Sequence, residues 1–321
     1  MGKEIGMAPL TLTAVSRTTG ANRALKDGEI PVEGVELAWE EVNPLIKAFR
    51  RMVRENAYDV CEMALTTYVC AKEHGARFTA LPVFLVRAFH HGAILINEAA
   101  GVRSGKDLEG KRVGVNRGFT VTTGVWARGV LEAEHGVDLS TVEWVLSGDE
   151  HVATWERPAN VTPVPEGRDV AEMLAAGDLA GAVGVDAEGP GVRPLVAEPM
   201  TAGLTALRET GVWPINHLVV VRDEVLAANP GLGPRLFEAF AESKRRYLEA
   251  LRAGPLEGGE TAADRTMRAV MTETGDPLPY GIAPNRATLE ALAGHALRQG
   301  IVKRPVDVEA LFDPETRALV G

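Results

Sequence analysis

The sequence predicts an α/β protein of two lobes, the second inserted into the first through two crossing strands. Strand-like and helix-like segments alternate along the chain, the pattern of largely parallel sheets covered by helices. Two apolar strands, AILIN (93–97) and INHLVVV (215–221), bracket an α/β unit complete in itself. The chain has 321 residues, 45% of them hydrophobic, enough to fill two cores. Lobe 1 is therefore expected over residues 1–97 and 215–321, with C-terminal helices, and lobe 2 over residues 98–214. A cleft where the chain crosses between lobes is a preferred ligand site.

Each element has a local reason. LTLTAV (10–15) is a β-rich run and opens the first sheet. In NPLIKAFRRMVREN, Leu45, Ile46, Phe49, Met52 and Val53 recur at helical spacing, and Asn43 ahead of Pro44 fits an N-cap. YDVCEMAL is a strand, and TTYVCAKEHG is a helix stopped by Gly75. LVRAFHHGAILIN (85–97) reads as extended throughout, and RVGV (112–115) is a strand closed by an Asn116-Arg117-Gly118 turn. FTVTTGVWARGVLEAEHG is a helix ended by Gly136, and VEWVLSG is a strand. Residues 147–168 have three prolines and no periodicity, and read as a long loop of the kind that often carries function. DVAEMLAAGDLAGAVGVD is helix, turn and strand; after PINHLVVVRD, helices are expected over 234–251, 262–271 and 285–298.

Composition excludes several functions. The net charge is −10 with no basic block, which argues against a nucleic-acid surface, although a few buried arginines can still make an anion pocket. No run approaches a membrane span, and MGKEIGMAPLTLTAV has no apolar stretch of signal-peptide length, so a soluble, cytoplasmic protein is expected. Cys61 and Cys70 form no CxxC and read as small core residues, so neither a disulfide framework nor a zinc site is indicated. No GxSxG, HExxH, GxGxxG or P-loop occurs.

The candidate site residues follow from alternation. Arg87, Phe89 and His91 would share one strand face: a guanidinium for a carboxylate, a ring to pack on, and an imidazole that titrates near neutrality. The plainer alternative is a strand-end ion pair with a satisfied semi-buried histidine. Glu62 shares a face with Val60 and Ala64, where burial would raise its pKa and suit a general acid; alternatively, backbone N–H groups at the following helix satisfy it. His217 lies on the second crossing strand and could meet His91 and Glu62, a set that could also bind a metal, although no spacing demands one. In NRGFTVTT, Thr120 and Thr122 place hydroxyls beside free N–H groups where a helix start could hold an anion, or could simply cap the helix. In PYGIAPNR, Tyr280 and Arg286 could reach outward from a structured turn.

YDVCEMALTTY, ALPVFLVRAFHHGAILIN, DLEGKRVGVNRG with VWARGVL, TGVWPINHLVVVRD, DPLPYGIAPNRATLEAL and LFDPETRAL occur in an order that resembles the 4,5-dihydroxyphthalate decarboxylases. The chain departs from that family's pattern at His90, at Gly92 and in the Asn116-Arg117-Gly118 turn. The resemblance covers most of the chain and implies a type II periplasmic-binding-protein-like fold. It also implies cofactor-independent, non-oxidative loss of CO2 from a dihydroxylated aromatic dicarboxylate. Glu62, Arg87, Phe89, His91, His217, Tyr280, Asn285 and Arg286 match its motifs. On that basis His91 is expected to donate the proton, Glu62 or His217 to orient or deprotonate a phenol, and Arg87 and Arg286 to hold carboxylates. The expected partner is a small aromatic carboxylate, and a homo-oligomer is compatible with the sequence. The rival expectation is a solute-binding protein that holds such an acid without reaction.

Overall fold

The computed structural model describes residues 8–321. The stretch 1–7 read for a leader lies outside the described residues.

The chain opens with β1 (Leu10–Val15), α1 (Arg23–Lys26), β2 (Val35–Glu40), α2 (Ile46–Glu55), β3 (Val60–Ala64), α3 (Leu65–Glu73) and β4 (Phe78–Arg87). It then builds a second sheet from β5 (Ile94–Asn97), β6 (Arg112–Val115), α4 (Thr122–His135), β7 (Glu143–Leu146), β8 (Val161–Pro163), α5 (Val170–Ala176), β9 (Gly181–Val183) and β10 (Val192–Pro194). After α6 (Pro199–Thr210), β11 (Ile215–Arg222) returns to the first sheet. Helices α7 (Asp223–Ala228), α8 (Leu232–Ala253), α9 (Ala262–Thr274) and α10 (Arg286–Arg298) follow.

The first sheet has the order β2-β1-β3-β11-β4 and the second β10-β5-β9-β6-β7-β8. Strand β11 runs antiparallel between β3 and β4, which therefore run parallel to each other and to β1. Their C-terminal ends share one edge, as do those of β6, β7, β8 and β9 in the second sheet. The carboxyl ends of parallel strands are where open α/β sheets bind ligands.

Several expectations are corrected. The strand at LVRAFHH stops at Arg87, and His91–Ala93 is a 3-10 turn, so the alternation argument does not extend beyond residue 87. AILIN, placed in lobe 1, pairs with β9 and β10 of the second sheet, so the chain crosses over at 88–93. Helix α2 starts at Ile46 with Leu45 as its cap, two residues after Asn43. The loop at 147–168 contains β8, which pairs parallel with β7; its brevity and its prolines hid it. Strand β2 and helix α6 add to the expected elements; VELAWE does alternate, with Glu36, Ala38 and Glu40 exposed between the more buried Val35, Leu37 and Trp39.

Helix α3 shows how the core sets the site. Residues 65–71 are all buried, as expected of a helix with no polar face. It is wedged against β3, β11, α4 and α10, and its first turn lies at the strand-end edge. There Thr66 meets the start of α4: its N–H and hydroxyl lie 3.1 and 2.7 Å from Thr122 Oγ1.

Candidate functional site

The strands bring Glu62 and His217 together. On adjacent antiparallel strands, His217 is opposite Ala64 and Glu62 is opposite Val219, so the two are diagonal neighbours on one face. The pairing of β11 with β4 shifts register on both sides of His217. Bulges of this kind recur beside active sites because they re-aim a side chain.

Glu62 is fully buried and held by three donors. His217 Nδ1 lies 2.6 Å from Oε1, while Ser16 Oγ at 2.8 Å and the Arg17 backbone N–H at 2.9 Å reach Oε2. Asn22 Nδ2 donates to Ser16 Oγ at 2.8 Å and fixes it in turn. Burial pushes the carboxyl pKa up, but the His217 hydrogen bond and charge, the Ser16 hydroxyl and the Arg17 charge together outweigh it. The net shift is downward. The expected raised pKa is thus reversed, because the predicted apolar pocket contains three donors. An ionised Glu62 requires His217 to carry its proton on Nδ1, leaving Nε2 to face outward from a side chain 19% exposed. The ring of Phe49 meets the His217 ring edge-on at 5.1 Å and the His151 ring at 6.2 Å.

The remaining expected site residues are elsewhere or already occupied. Arg87 is buried, with Nη1 on Trp213 O at 2.8 Å and Nη2 on Pro279 O at 3.1 Å and on Asn285 Oδ1. Burial lowers its pKa to about 9. Both terminal nitrogens are committed to the protein, so Arg87 and Asn285 tie the β4 end to the Trp213 and Pro279 loops and leave no bidentate face for a ligand. Replacing Arg87 by alanine strands two buried acceptors, Trp213 O and Asn285 Oδ1, and is expected to cost about 3 kcal/mol, read as a lower denaturant midpoint. Tyr280 is wholly buried and burial raises its pKa; Arg286 is on the surface, paired with Glu309 and Glu290. Thr122 is taken by Thr66, and the anion expected at the β6–α4 turn is the protein's own: Glu150 accepts from Phe119 N, Thr120 N and Thr120 Oγ1. A Cβ on Gly118 would lie 2.5 Å from that carboxylate, so the turn needs glycine.

His91 does not join His217. Its Nε2 bonds Glu134 at 2.9 Å, and with Phe89 it lines a cavity of about 710 Å³ bounded by α4, α6 and α10. The distance separates the residues weighed as a metal set; among the described residues no three His, Cys, Asp or Glu side chains are grouped to hold an ion. The charged lining of that cavity, apart from His91 and His295, is Glu134, Glu198 and Glu209, with no lysine or arginine. A carboxylate held about 6 Å from one of them would be repelled by about 3 kcal/mol at an effective dielectric of about 20. The cavity beside the Glu62–His217 pair, about 630 Å³, has the opposite balance: Arg17, Arg23, Arg87 and Arg246 against Glu29, Glu257 and Asp264. Its lining includes Arg17, whose backbone N–H is bonded to Glu62, and Val86, the strand partner of His217, but neither member of the pair itself.

Sequence reasoning missed Ser16, Arg17, Asn22, Phe49 and His151. Ser16 and Arg17 did carry a signal, since they directly follow an apolar strand at its carboxyl end. His151 lies in the 147–168 segment read as a functional loop, but Phe49 carried no signal, because only packing brings α2 to β11.

The buried histidines set a pH dependence. Burial lowers His90 and His151 to about 4. From the ordinary value of 6.5 down to about 4 the unfolded chain binds protons that the folded chain refuses, so stability falls as pH falls. Urea unfolding between pH 7 and 4.5 is expected to lose stability with a slope approaching two protons, about 2.7 kcal/mol per pH unit.

No family model matches the chain. The 4,5-dihydroxyphthalate decarboxylase of Comamonas testosteroni is 30% identical over 333 residues, covering 96% of this chain and 98% of that protein. The 4,5-dihydroxyphthalate decarboxylase of Pseudomonas putida is 37% identical over 170 residues, 50% of this chain and 65% of that protein. Among solved structures, a variant of the desulfurization enzyme DSZB in complex with biphenyl-2-sulfinic acid matches with a TM-score of 0.53 at 17% identity, covering 95% and 97% of the two chains. The periplasmic aliphatic sulphonate binding protein SsuA from Escherichia coli matches with a TM-score of 0.52 at 12% identity, covering 95% and 92%. The structural likenesses establish a periplasmic-binding-protein fold. The near full-length likeness to the Comamonas enzyme, with the motifs in the same chain, establishes that this protein belongs to the 4,5-dihydroxyphthalate decarboxylase family.

Proposed function

We propose that the protein is a carboxy-lyase that removes CO2 from 4,5-dihydroxyphthalate or a close relative, in the cleft at the strand-end edges between the two sheets. The observation that carries this reading is the Glu62–His217 pair. Solute capture has no need of an ionised, fully buried carboxylate held by three donors behind a partly exposed imidazole. Its setting beside an arginine-rich cavity fits an anionic acid better than the acidic cavity around His91 does.

In this reading the protonated His217 delivers its Nε2 proton to the ring carbon that bears the departing carboxylate. The hydroxyl para to that carbon stabilises the positive ring by electron donation. The C–C bonding pair then returns to the ring, CO2 leaves, and the aromatic product keeps the proton. His217 is left neutral and is reprotonated from solvent. Glu62 stabilises the imidazolium and fixes its tautomer, as the acid does in other carboxylate–histidine pairs. Arg17, at the end of β1 with no side-chain partner among the described residues, is the lobe-1 cation for the substrate. The proton-donor role expected of His91 thus passes to His217.

The test is anaerobic incubation with 4,5-dihydroxyphthalate, with and without EDTA, following CO2 and 3,4-dihydroxybenzoate. Release of both in equal amounts, unaffected by EDTA, is the expected result. A thermal shift with that acid but no CO2 would instead mark a binding protein.

A further inference from the structure

Arg117 has a backbone conformation that its residue type disfavours. Its φ is +68°, in the left-handed region that non-glycine residues seldom occupy and that clusters at functional sites. The neighbourhood enforces it. Arg117 N–H donates to Ser147 Oγ at 2.7 Å, and the β7 end comes so close that a Cβ on Gly148 would lie 3.2 Å from Arg117 Cα. Asn116 Nδ2 bonds Gly184 O at 2.7 Å, so the carboxyl ends of β6, β7 and β9 are laced together around this residue.

No described residue uses the side chain held there. The guanidinium has no hydrogen-bond or ion-pair partner among the described residues, and the residue is exposed. The nearby carboxylates are already engaged, Asp149 by Arg50 at 2.6 Å and Arg54 at 3.2 Å, and Glu150 by the Phe119–Thr120 turn. Arg117 is near enough to His151 for its charge to disfavour protonation there; His151 packs on Phe49, and Phe49 on His217. The free cation thus belongs to the second sheet but serves the same strand-end region as the Glu62–His217 pair.

We propose that Arg117 is a specificity-determining residue, the second-sheet cation that binds the carboxylate the product retains, so that the site selects aromatic dicarboxylates over monocarboxylates. The inference rests on the carboxylate-binding part of the proposed function. Binding alone, without turnover, tests it with phthalate and benzoate, which lack the hydroxyls needed for reaction.

By isothermal titration calorimetry the wild type is expected to bind phthalate at least about tenfold more tightly than benzoate, the loss of one charge-assisted pair being about that factor. Arg117→Gly is expected to abolish most of this ratio while Tm stays level or rises, because glycine adopts the same φ without strain. Arg117→Lys should retain part of the ratio. A ratio unchanged in Arg117→Gly would overturn the proposal, and so would a drop of several degrees in Tm, which would mark a structural role. Wild-type selectivity for phthalate without turnover of 4,5-dihydroxyphthalate would sink the decarboxylase reading and leave this inference standing.

Discussion

Replacing His217 by alanine is expected to lower kcat on 4,5-dihydroxyphthalate by about 10²- to 10⁴-fold, the range for loss of a positioned proton-transfer group. KM should change little, because the imidazole acts on the ring carbon in the transition state and contributes little to ground-state binding. The variant should fold, since His217 is partly exposed and its one side-chain hydrogen bond among the described residues is to Glu62. Steady-state kinetics separates this from the earlier expectation for His91. His91→Ala should leave kcat within a few-fold of wild type, because that imidazole lies in the acidic cavity with Glu134. A large kcat loss in His91→Ala with an unaffected His217→Ala would reverse the assignment.

Glu62→Ala is expected to damage both stability and activity. It removes the acceptor of three donors in a fully buried place, and breaking one side of such a constellation costs about 3–5 kcal/mol. Glu62→Gln keeps the shape, and its side-chain oxygen can still accept from both Ser16 Oγ and the Arg17 N–H, which reach the same carboxylate oxygen. It should recover most of the stability while leaving kcat about 10²-fold down or more, because a neutral amide no longer stabilises the imidazolium. The pH behaviour follows the same logic. Glu62 titrates below its ordinary value in the fold, so its contribution is fully present above about pH 4.5 and is lost as pH falls through the depressed value. Glu62→Gln should therefore lose less stability than the wild type on acidification below pH 4.5. A variant with normal kcat would show that the carboxylate only supports the fold.

The two predictions rely on features of different legibility. That Glu62 and His217 each sit on a strand could be read from the short apolar runs in YDVCEMAL and INHLVVV. That they are diagonal neighbours depends on β11 inserting between β3 and β4, a pairing between residues 155 positions apart in the chain. The Glu62 shift shows the same division. The sequence shows apolar neighbours and so argues for a raised pKa, whereas the donors that lower it come from the end of another strand. The departure of Arg87 and His91 from one shared strand face has a different origin. Period-2 reasoning holds only while the strand continues, and the chain leaves it at Arg87 to cross between sheets. Arg87 itself is committed to loops 126 and 192 residues away, which local spacing does not reveal.

The sequence by itself determined the α/β class, the alternation of strands and helices and the family motifs, because periodicity, composition and local residue order are properties of neighbours along the chain. Tertiary structure alone decided which histidine meets Glu62, which arginines are spent inside the fold and which have no side-chain partner among the described residues. Those outcomes depend on strand order, on burial and on donors brought from distant segments, and the free energy of a buried charge is set by what surrounds it in space.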